Sequence, residues 1–367
     1  MIKILKATIA PFYSAVHTCP RIAREPSYYP DAPRKCLLRR YFEIVYQRFV
    51  TRSTNLFYNA YGMDVKGLRK AKDYVWEREF WTKIISQNYP DEKINHAVVL
   101  RDKLIFWSVM STHGIRTPEI VAHSMRGHYF SQGKEVAFAE WVKSWTEILG
   151  NVFVKNNTSC CGRGIYKVKV GHGHAECEDK NFSLSEAFFR DGDYIITKEV
   201  CNHKSLSRIY PKSLNTARFI TVWSEQTKRP ELFAQFFRIG ANGNVVDNWA
   251  VGGLLFVLNS DGSIGDVGFF KDPKYAHGYG MRVDSHPDTG VSFKGMRVPD
   301  YDAGLELALK AHAVLPTVKS IGWDVAFTDD GPLIVEGNDD WEIAPCQILT
   351  GGMRIKSHEY FGVRNVC

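Results

Sequence analysis

Asp324, Glu336 and Asn338 stand in two strand-like segments near the end of the chain, joined by the run 328–331. The segments are rich in β-branched and aromatic residues, and the run between them is Thr-Asp-Asp-Gly, which is typical of a β-hairpin. Carboxylate and amide oxygens are ligands that suit Mg²⁺ or Mn²⁺. The alternative is a solvent-facing hairpin that carries two acids by chance, and this segment alone leaves both open.

The register of this hairpin decides whether the three side chains meet. A three-residue loop at 329–331 makes Thr328 face Pro332 and sets Asp324 opposite Glu336, whereas a two-residue loop shifts the pairing by one. The amide two residues beyond Glu336 then shares its face of the strand. Directly opposed side chains have Cβ atoms about 5 Å apart, so two carboxylates there repel unless a cation lies between them.

A lysine followed by a glycine-containing turn could bind phosphate. Lys155 ends a strand-like segment, and the turn-rich run 156–164 contains Gly162 and Gly164. Glycine permits positive φ and close backbone approach, so the N–H groups of such a turn can surround phosphate oxygens. The Walker pattern is absent. The alternative is an ordinary turn.

Three more segments carry polar residues that could bind a substrate. Arg218 near the start of a strand suits a two-pronged bond to phosphate or carboxylate, and a surface ion pair is the alternative. Asn248 precedes a Gly-Gly pair inside a strand, which indicates close approach of a ligand or of other backbone. His286 lies in the polar run SHPDTGVSF, whose role is ambiguous.

The positive charge of the chain is concentrated at its beginning. The formal net charge is +7 over 367 residues, and residues 1–60 hold ten Lys/Arg against three acids, which accounts for all of it. Such a segment could contact an anionic membrane surface or an acidic glycan, and the alternative is the solvated face of a helical region. No nucleic-acid-binding motif accompanies it.

Composition excludes several classes of protein. No apolar run reaches the 18 or more residues of a membrane span, and the first 20 residues lack a signal-peptide core, so we expect a cytoplasmic protein. The eight cysteines show no C-x-x-C pair and predict reduced thiols. The run GHGHAEC could begin a zinc site, but no second ligand pair follows at a zinc spacing.

The pattern of elements predicts an α+β protein. Residues 1–120 are expected to be mainly helical, with helices over 65–86 and 100–111 after a helical pattern that begins at residue 37. Beyond them, strands are expected over 119–123, 151–155, 165–170, 194–200, 217–223, 232–239 and 252–258, and helices over 137–149, 183–190 and 302–315. The predicted regions are a basic helical N-terminal region (1–98), a linking segment (99–150), a subdomain with the glycine loop (151–205) and a C-terminal subdomain with the metal site (206–367).

The order of these segments resembles the ATP-grasp superfamily. The runs NTARFITV, DNWAVGG, HPDTG and GWDVAFTDDGPLIVEGN resemble its sugar-transfer-associated, exopolysaccharide-linked branch. The resemblance covers roughly residues 100–350. It implies an ATP-grasp fold, in which two α+β subdomains hold ATP between antiparallel sheets, here preceded by the helical N-terminal region.

The resemblance also implies roles for individual residues. It assigns to ATP the residues Lys103, Lys155, Gly162, Arg163, Gly164, Lys198, Glu199 and Cys201: the two lysines on phosphate, the glycine loop over the triphosphate, and 198–201 as the hinge to adenine. Lys198 departs from the acidic or amide residue that is commoner there. Lys155 and Arg218 are the implied catalytic residues, and Asn248 and His286 are substrate candidates. Asp324, Glu336 and Asn338 match a triad for two Mg²⁺ or Mn²⁺ ions, with Glu336 bridging them.

The implied reaction is ligation of a carboxylate to an amine through an acyl phosphate, with ADP and phosphate as products. One reactant is expected to be a sugar acid or an amino acid destined for a surface glycan. The alternatives are a kinase-like transfer that stops at the phosphorylated product, a nucleotide-binding module without catalysis, and a protein that binds a glycan or membrane surface through its basic N-terminal region. The sequence indicates no oligomeric state.

Overall fold

The computed structural model describes residues 12–90, 95–159 and 164–364. The helices are α1 (Cys19–Arg24), α2 (Leu37–Thr51), α3 (Glu77–Glu79), α4 (Val98–Arg101), α5 (Lys103–Thr112), α6 (Phe138–Thr146), α7 (Glu186–Arg190), α8 (Lys204–Ser207), α9 (Pro273–Ala276), α10 (Tyr301–Ala313), α11 (Ile343–Thr350) and α12 (Arg354–Phe361). Short 3₁₀ segments span Ala71–Asp73, Ile85–Asn88 and Trp249–Val251, and π-helical turns span Ser14–Thr18 and Phe80–Ile84.

The strands form two sheets of seven, in which every pair among the described residues is antiparallel. The first sheet has the order β3-β2-β1-β7-β4-β5-β6 and the second the order β12-β11-β10-β9-β8-β13-β14. Their bounds are β1 (Ile120–Met125), β2 (His128–Ser131), β3 (Lys134–Val136), β4 (Gly150–Asn156), β5 (Ile165–Gly171), β6 (His174–Glu176), β7 (Tyr194–Lys198), β8 (Thr216–Ser224), β9 (Arg229–Ile239), β10 (Leu254–Val257), β11 (Gly268–Phe269), β12 (Arg282–Val283), β13 (Ser320–Thr328) and β14 (Gly331–Asn338). The predicted α+β class is confirmed.

Aromatic side chains of α6 and α7 cover one side of the first sheet. In α6, Phe138, Trp141 and Trp145 recur at helical spacing, and both tryptophans are fully buried. They pack with Phe189 of α7 at ring distances of 4.8 and 6.4 Å and share a core with Val152 of β4. This rigid layer fixes the strands from which one wall of the site is built.

The second sheet packs under α10. Gly304 of this helix lies so close to the sheet that a Cβ there would meet the ring of Phe327 at 2.5 Å. Ala308 and Ala311 are likewise small and fully buried. Small residues on one side of α10 therefore let the helix lie close against the strands that carry the acidic hairpin.

The N-terminal region shares its core with the second sheet rather than packing by itself. Ile22 and Tyr58 belong to the same hydrophobic cluster as Trp323 and Trp341. Tyr28 donates its hydroxyl to the carbonyl of Phe270 at 2.7 Å. The predicted limits at residues 98, 150 and 205 remain predictions.

The helix predicted over 65–86 is wrong, because long-range bonds take the place of helical ones. The side chain of Gln347 accepts from the Val75 N–H at 2.7 Å and donates to the Val75 carbonyl at 3.0 Å. Gly67 has a φ of +73°, outside the range of a right-handed helix. The segment accordingly breaks into 3₁₀, α and π turns. The helix predicted over 100–111 divides at Asp102, whose side chain caps α5 by accepting from the Ile105 N–H at 2.9 Å.

None of the helices in the described residues is both long and apolar enough to cross a bilayer.

Candidate active site

A cavity of about 310 Å³ lies between the two sheets. Basic, acidic and apolar side chains from both sheets and from α4 and α5 form its walls. Its lining consists of Leu100, Arg101, Lys103, Phe106, Trp107, Thr117, Pro118, Ile120, Lys155, Thr158, Ser159, Ile165, Ile195, Thr197, Val335, Glu336, Gly337, Asn338, Asp339 and Asp340. A volume of this size is in the range of small-molecule sites, which is roughly 300–1,000 Å³.

In the hairpin of β13 and β14, Asp324 pairs with Glu336 as predicted, but with a different turn length. Thr328 pairs with Gly331 across a two-residue turn, so the predicted three-residue loop is wrong. The register then shifts at Val335, where β14 carries one extra residue as a β-bulge. The bulge restores the pairing of Asp324 with Glu336, which is confirmed.

Asp324 is held by two arginines. Arg218 lies directly opposite it on β8 and donates from both Nε and a terminal nitrogen, the latter at 2.8 Å. Arg238 of β9 approaches the same carboxylate at 2.9 Å. Burial would raise the pKa of Asp324, but the two guanidinium groups outweigh it and hold the pKa at about 2. The carboxylate is therefore ionised throughout the range of pH in which a protein works.

Glu336 and Asn338 present their side chains to the cavity. Burial raises the pKa of Glu336, and the negative charge of Asp324 raises it further. The amide nitrogen of Asn338 lies 3.4 Å from a carboxylate oxygen of Glu336. The described residues contain no group of three His, Cys, Asp or Glu side chains suited to a metal. An ion in the cavity at this position would therefore use the amide oxygen of Asn338 together with the carboxylate of Glu336.

This donor set fits Mg²⁺ or Mn²⁺. All its atoms are hard oxygens, and a cation would relieve the repulsion that raises the pKa of Glu336. Glu336 and Asn338 line the cavity, whereas Asp324 lies behind them in the sheet, against its arginines. The assignment of metal ligands and of the number of ions stays a prediction.

Lys155 faces the acids from the other sheet. It lies on β4 between Ile165 of β5 and Ile195 of β7, and all three line the cavity. Burial lowers the pKa of Lys155 to about 8; Glu336 opposes that shift and Lys103 adds to it. The two lysines and Glu336 therefore act on one another across the same cavity.

Lys103 is the first residue of α5 and joins this helix to the start of the glycine loop. Its ammonium donates to the carbonyl of Ser159 at 2.5 Å. Asn157 completes the junction by accepting from the Leu104 N–H at 2.9 Å and donating to Asp102 at 2.8 Å. The loop is thus fixed at its base, where a helix N-terminus also favours anions.

The loop itself is only partly described. Gly162 and Arg163, both predicted to bind ATP, lie outside the described residues. Gly164 has a φ of +61° and accepts from the Asn156 N–H at 2.9 Å, so it closes the turn in a conformation that few other residues adopt. The role of the glycine loop stays a prediction.

The predicted adenine hinge lies just beyond the cavity lining. The Lys198 ammonium is 2.8 Å from Glu119, and Glu199 is bound by Lys167 at 2.6 Å and by Asn151 at 2.8 Å. The backbone N–H of Lys198 donates to the carbonyl of Glu119, just before β1, and that of Glu199 donates to the carbonyl of Asn151 in β4. Cys201 is exposed. The hinge assignment stays a prediction.

Thr197, which sequence reasoning missed, is the last residue of β7 that lines the cavity. It is 2% exposed, and its hydroxyl has no partner among the described residues. A buried hydroxyl without a partner costs free energy unless a ligand or water bonds it. The signal in the sequence was one polar residue in the apolar run YIIT, which by itself is common in strands.

The two substrate candidates do not line the cavity. Asn248 caps a 3₁₀ turn by accepting from the Ala250 N–H at 2.8 Å. His286 is 1% exposed; its Nε2 bonds to the Gly240 carbonyl at 2.7 Å, and its Nδ1 accepts from the Asp288 N–H at 3.2 Å. Both ring nitrogens are thus used within the fold, and the contacts of both residues are structural.

Several solved structures are similar to the chain at low identity. An N5-carboxyaminoimidazole synthase from Aspergillus clavatus, with ADP and 5-aminoimidazole ribonucleotide, is 11% identical with a TM-score of 0.39, over 66% of this chain and 45% of that one. D-alanyl-alanine synthetase A from Vibrio cholerae is 8% identical with a TM-score of 0.41, over 73% and 64%. D-alanine–D-alanine ligase from Bacillus anthracis is 13% identical with a TM-score of 0.39, over 72% and 68%. The chain spans about half the length of the first of these.

No curated protein matches the chain. The family model described as sugar-transfer associated ATP-grasp matches residues 82–357, or 276 of the 367 residues. The matched region holds both sheets, the cavity between them and every side chain of its lining. The chain therefore belongs to the sugar-transfer associated ATP-grasp family.

Proposed function

We propose that the chain is an ATP-dependent carboxylate–amine ligase. The observation that carries this proposal is the division of charge in one cavity, where Lys103 of α5 and Lys155 of the first sheet face Glu336 and Asn338 of the second sheet. Members of the ATP-grasp superfamily are carboxylate–amine ligases. Phosphoryl transfer requires mainly alignment and neutralised charge, and this cavity offers cations on one side and cation ligands on the other.

In this proposal the nucleotide occupies the cavity with its phosphates toward the lysines. Lys103 and Lys155 bind the phosphates, and the glycine loop, fixed at its base by Lys103, covers them. When bound at Glu336 and Asn338, Mg²⁺ or Mn²⁺ supplies further charge neutralisation for the triphosphate. Arg218 keeps Asp324 ionised beside these ligands and adds positive charge at the acidic end of the cavity.

The proposed reaction has two steps. A carboxylate oxygen of the first substrate attacks the γ-phosphorus, the bond to the β–γ bridging oxygen breaks, and ADP leaves. The nitrogen of an amine then attacks the acyl carbon, phosphate leaves with the electron pair of the C–O bond, and the nitrogen loses a proton to give the amide. An acyl phosphate hydrolyses readily, so the covering loop must keep water from it.

The family description favours a substrate linked to sugar transfer. We propose a sugar acid or an amino acid as one reactant, on the way to a surface glycan, with the reaction in the cytoplasm. The support is the match of the branch-specific family model.

The test is ADP release over a matrix of amino acids and sugar acids, with mass spectrometry of any product. A ligase releases ADP in quantity only when a carboxylate and an amine are both present, and the product mass equals their sum less one water. Release with a single substrate and a phosphorylated product would assign a kinase-like reaction instead. Binding of Mg·ATP without turnover on any pair would leave only the nucleotide-binding module.

Two variants connect turnover to the cavity. Lys155→Ala should raise the KM for ATP strongly, and an unaffected KM would remove Lys155 from the phosphate site. Glu336→Gln should abolish ADP formation, and unchanged turnover would contradict the metal assignment. The control is Lys169→Ala on the exposed side of β5, which lies outside the cavity lining and should leave both quantities unchanged.

A further inference from the structure

The helix α2 carries large apolar side chains on its outward side as well as on its inward side. Ile44 is buried, and Tyr41 and Val45 pack against the core, whereas Leu38 and Phe42 are 69% and 63% exposed. The apolar residues of an ordinary surface helix face inward and its polar residues outward. Here the outward side also carries long apolar side chains, and these exposed residues are not placed for the stability of the described fold.

The apolar surface continues onto the residues before α1. Phe12 is 63% exposed, and its ring meets that of Phe49 at 5.9 Å. Of the twenty exposed large apolar residues in the described chain, nine lie within 39 positions: Phe12, Tyr13, Val16, Leu37, Leu38, Phe42, Tyr46, Phe49 and Val50. We call these nine residues the α2 face. A concentration of this kind on one surface marks an interaction site.

Cations border the α2 face. Arg21, Arg24, Arg39 and Arg52 are exposed, and Arg21 is paired with Glu25 at 3.1 Å. The acid of α2, Glu43, is already bound by Lys35 at 2.7 Å, by Arg39 at 3.0 Å and by the Tyr58 hydroxyl at 2.5 Å. The surroundings of the apolar residues are therefore positive, in agreement with the excess of Lys and Arg over residues 1–60.

We propose that the α2 face docks on an anionic lipid surface, with its phenylalanines and leucines in the acyl boundary and its arginines on the headgroups. Helices that lie in a membrane interface combine Phe and Leu on one side with Lys or Arg beside them, and Tyr favours the headgroup level. A second copy of the chain is disfavoured, because two α2 faces in contact bring their arginines together. None of the nine residues of the α2 face lines the cavity.

The experiment is flotation of the full chain with vesicles of phosphatidylcholine, with and without phosphatidylglycerol. The wild type should float with the vesicles that contain phosphatidylglycerol, and much less with phosphatidylcholine alone or at high salt, since screening weakens attraction to anionic headgroups. Phe42→Asp/Phe49→Asp should reduce the bound fraction by roughly tenfold or more, because each charge must enter the acyl boundary. The matched control is Ile355→Asp in α12, where Ile355 is 80% exposed, and it should bind like the wild type.

Sedimentation velocity and Mg·ATP binding accompany the flotation. The double variant should bind Mg·ATP as the wild type does, which shows that it is folded. The proposal is overturned if the wild type does not float with phosphatidylglycerol, or if the double variant floats equally well. If the wild type is a dimer and the double variant is a monomer, the α2 face binds a second copy of the chain instead of lipid. If the chain floats only after residues 1–11 are removed, the α2 face binds that segment of the chain instead of lipid.

Discussion

Asp324 and Glu336 are adjacent carboxylates, yet their removal should change stability in opposite directions. Asp324 neutralises Arg218 and Arg238, each with a side chain only 13% exposed. In Asp324→Asn the buried guanidinium group of Arg218 loses this ion pair, and that of Arg238 keeps Asp247, at 3.4 Å. Removal of one partner from a buried ion pair typically costs about 3–5 kcal/mol.

The pKa of Asp324 gives an independent magnitude. This pKa falls from 3.8 to about 2 on folding, which corresponds to roughly 2–3 kcal/mol. Because the folded pKa is the lower one, this stability is present above pH 3.8 and is lost as the pH falls toward 2. In Asp324→Asn, the decrease in the free energy of unfolding between pH 3.8 and about 2 should therefore be smaller than in the wild type.

The ionised side chain of Glu336 changes the free energy of unfolding in the opposite direction. Its pKa is raised by burial and by Asp324, so its ionised form is less favourable in the folded chain than in the unfolded one. Glu336→Gln removes that unfavourable charge. The variant should unfold at the same or a higher urea concentration than the wild type at pH 7, although it should not turn over ATP.

Urea unfolding followed by tryptophan fluorescence, without metal or nucleotide, measures both effects. Asp330→Asn in the same hairpin is the control, because the side chain of Asp330 is 88% exposed, and it should stay within about 0.5 kcal/mol of the wild type. Equal destabilisation of the Asp324 and Glu336 variants would refute the reasoning. So would an Asp324 variant as stable as the control.

Three further predictions concern other parts of the site and its support. Because the pKa of Lys155 is about 8, kcat/KM for ATP should fall as the pH rises above that value, and Lys155→Arg should lack the fall since arginine stays charged; a fall that persists in the variant would contradict the assignment. Thr197→Val should weaken ATP binding by about two- to tenfold in calorimetry and slightly stabilise the free protein, because it removes a buried hydroxyl that has no partner among the described residues; unchanged affinity would exclude a bond from this hydroxyl to ATP. Gly304→Ala should destabilise the protein in urea, because the steric cost against Phe327, about 1–3 kcal/mol, exceeds the helix-forming gain of alanine, about 0.5–1 kcal/mol; a more stable variant would show that α10 can move.

The elements around the site follow from local patterns in the sequence. The strands β4, β5, β7, β8 and β9 agree with the predictions within a few residues, because each is a run of β-branched and aromatic residues between turn signals. The pairing of Asp324 with Glu336 was also predicted, although from an incorrect loop length. Such features depend on residues close together in the chain.

Features that depend on distant pairing could not be predicted. The contact of Arg218 with Asp324 arises because β8 lies beside β13, about a hundred residues away, and Arg238 joins them from the next strand. Apolar spacing in α2 predicts a helix but not that Arg40 and Gln47 face inward. The backbone at Val75 leaves the helical conformation because Gln347 supplies its hydrogen bonds from the far end of the chain.

Because of the extra residue at Val335, the pairing of the two carboxylates does not depend on one particular length of the turn. On the turn side of the bulge the strands are paired one residue out of step with those on the site side. A turn one residue longer, without the bulge, would give the same meeting of Asp324 and Glu336. One residue inserted at the tip can therefore be absorbed by loss of the bulge, and deletion of Val335 leaves Glu336 opposite Asp324 with the two-residue turn unchanged. The hairpin can thus vary in length while the pairing of its carboxylates is preserved.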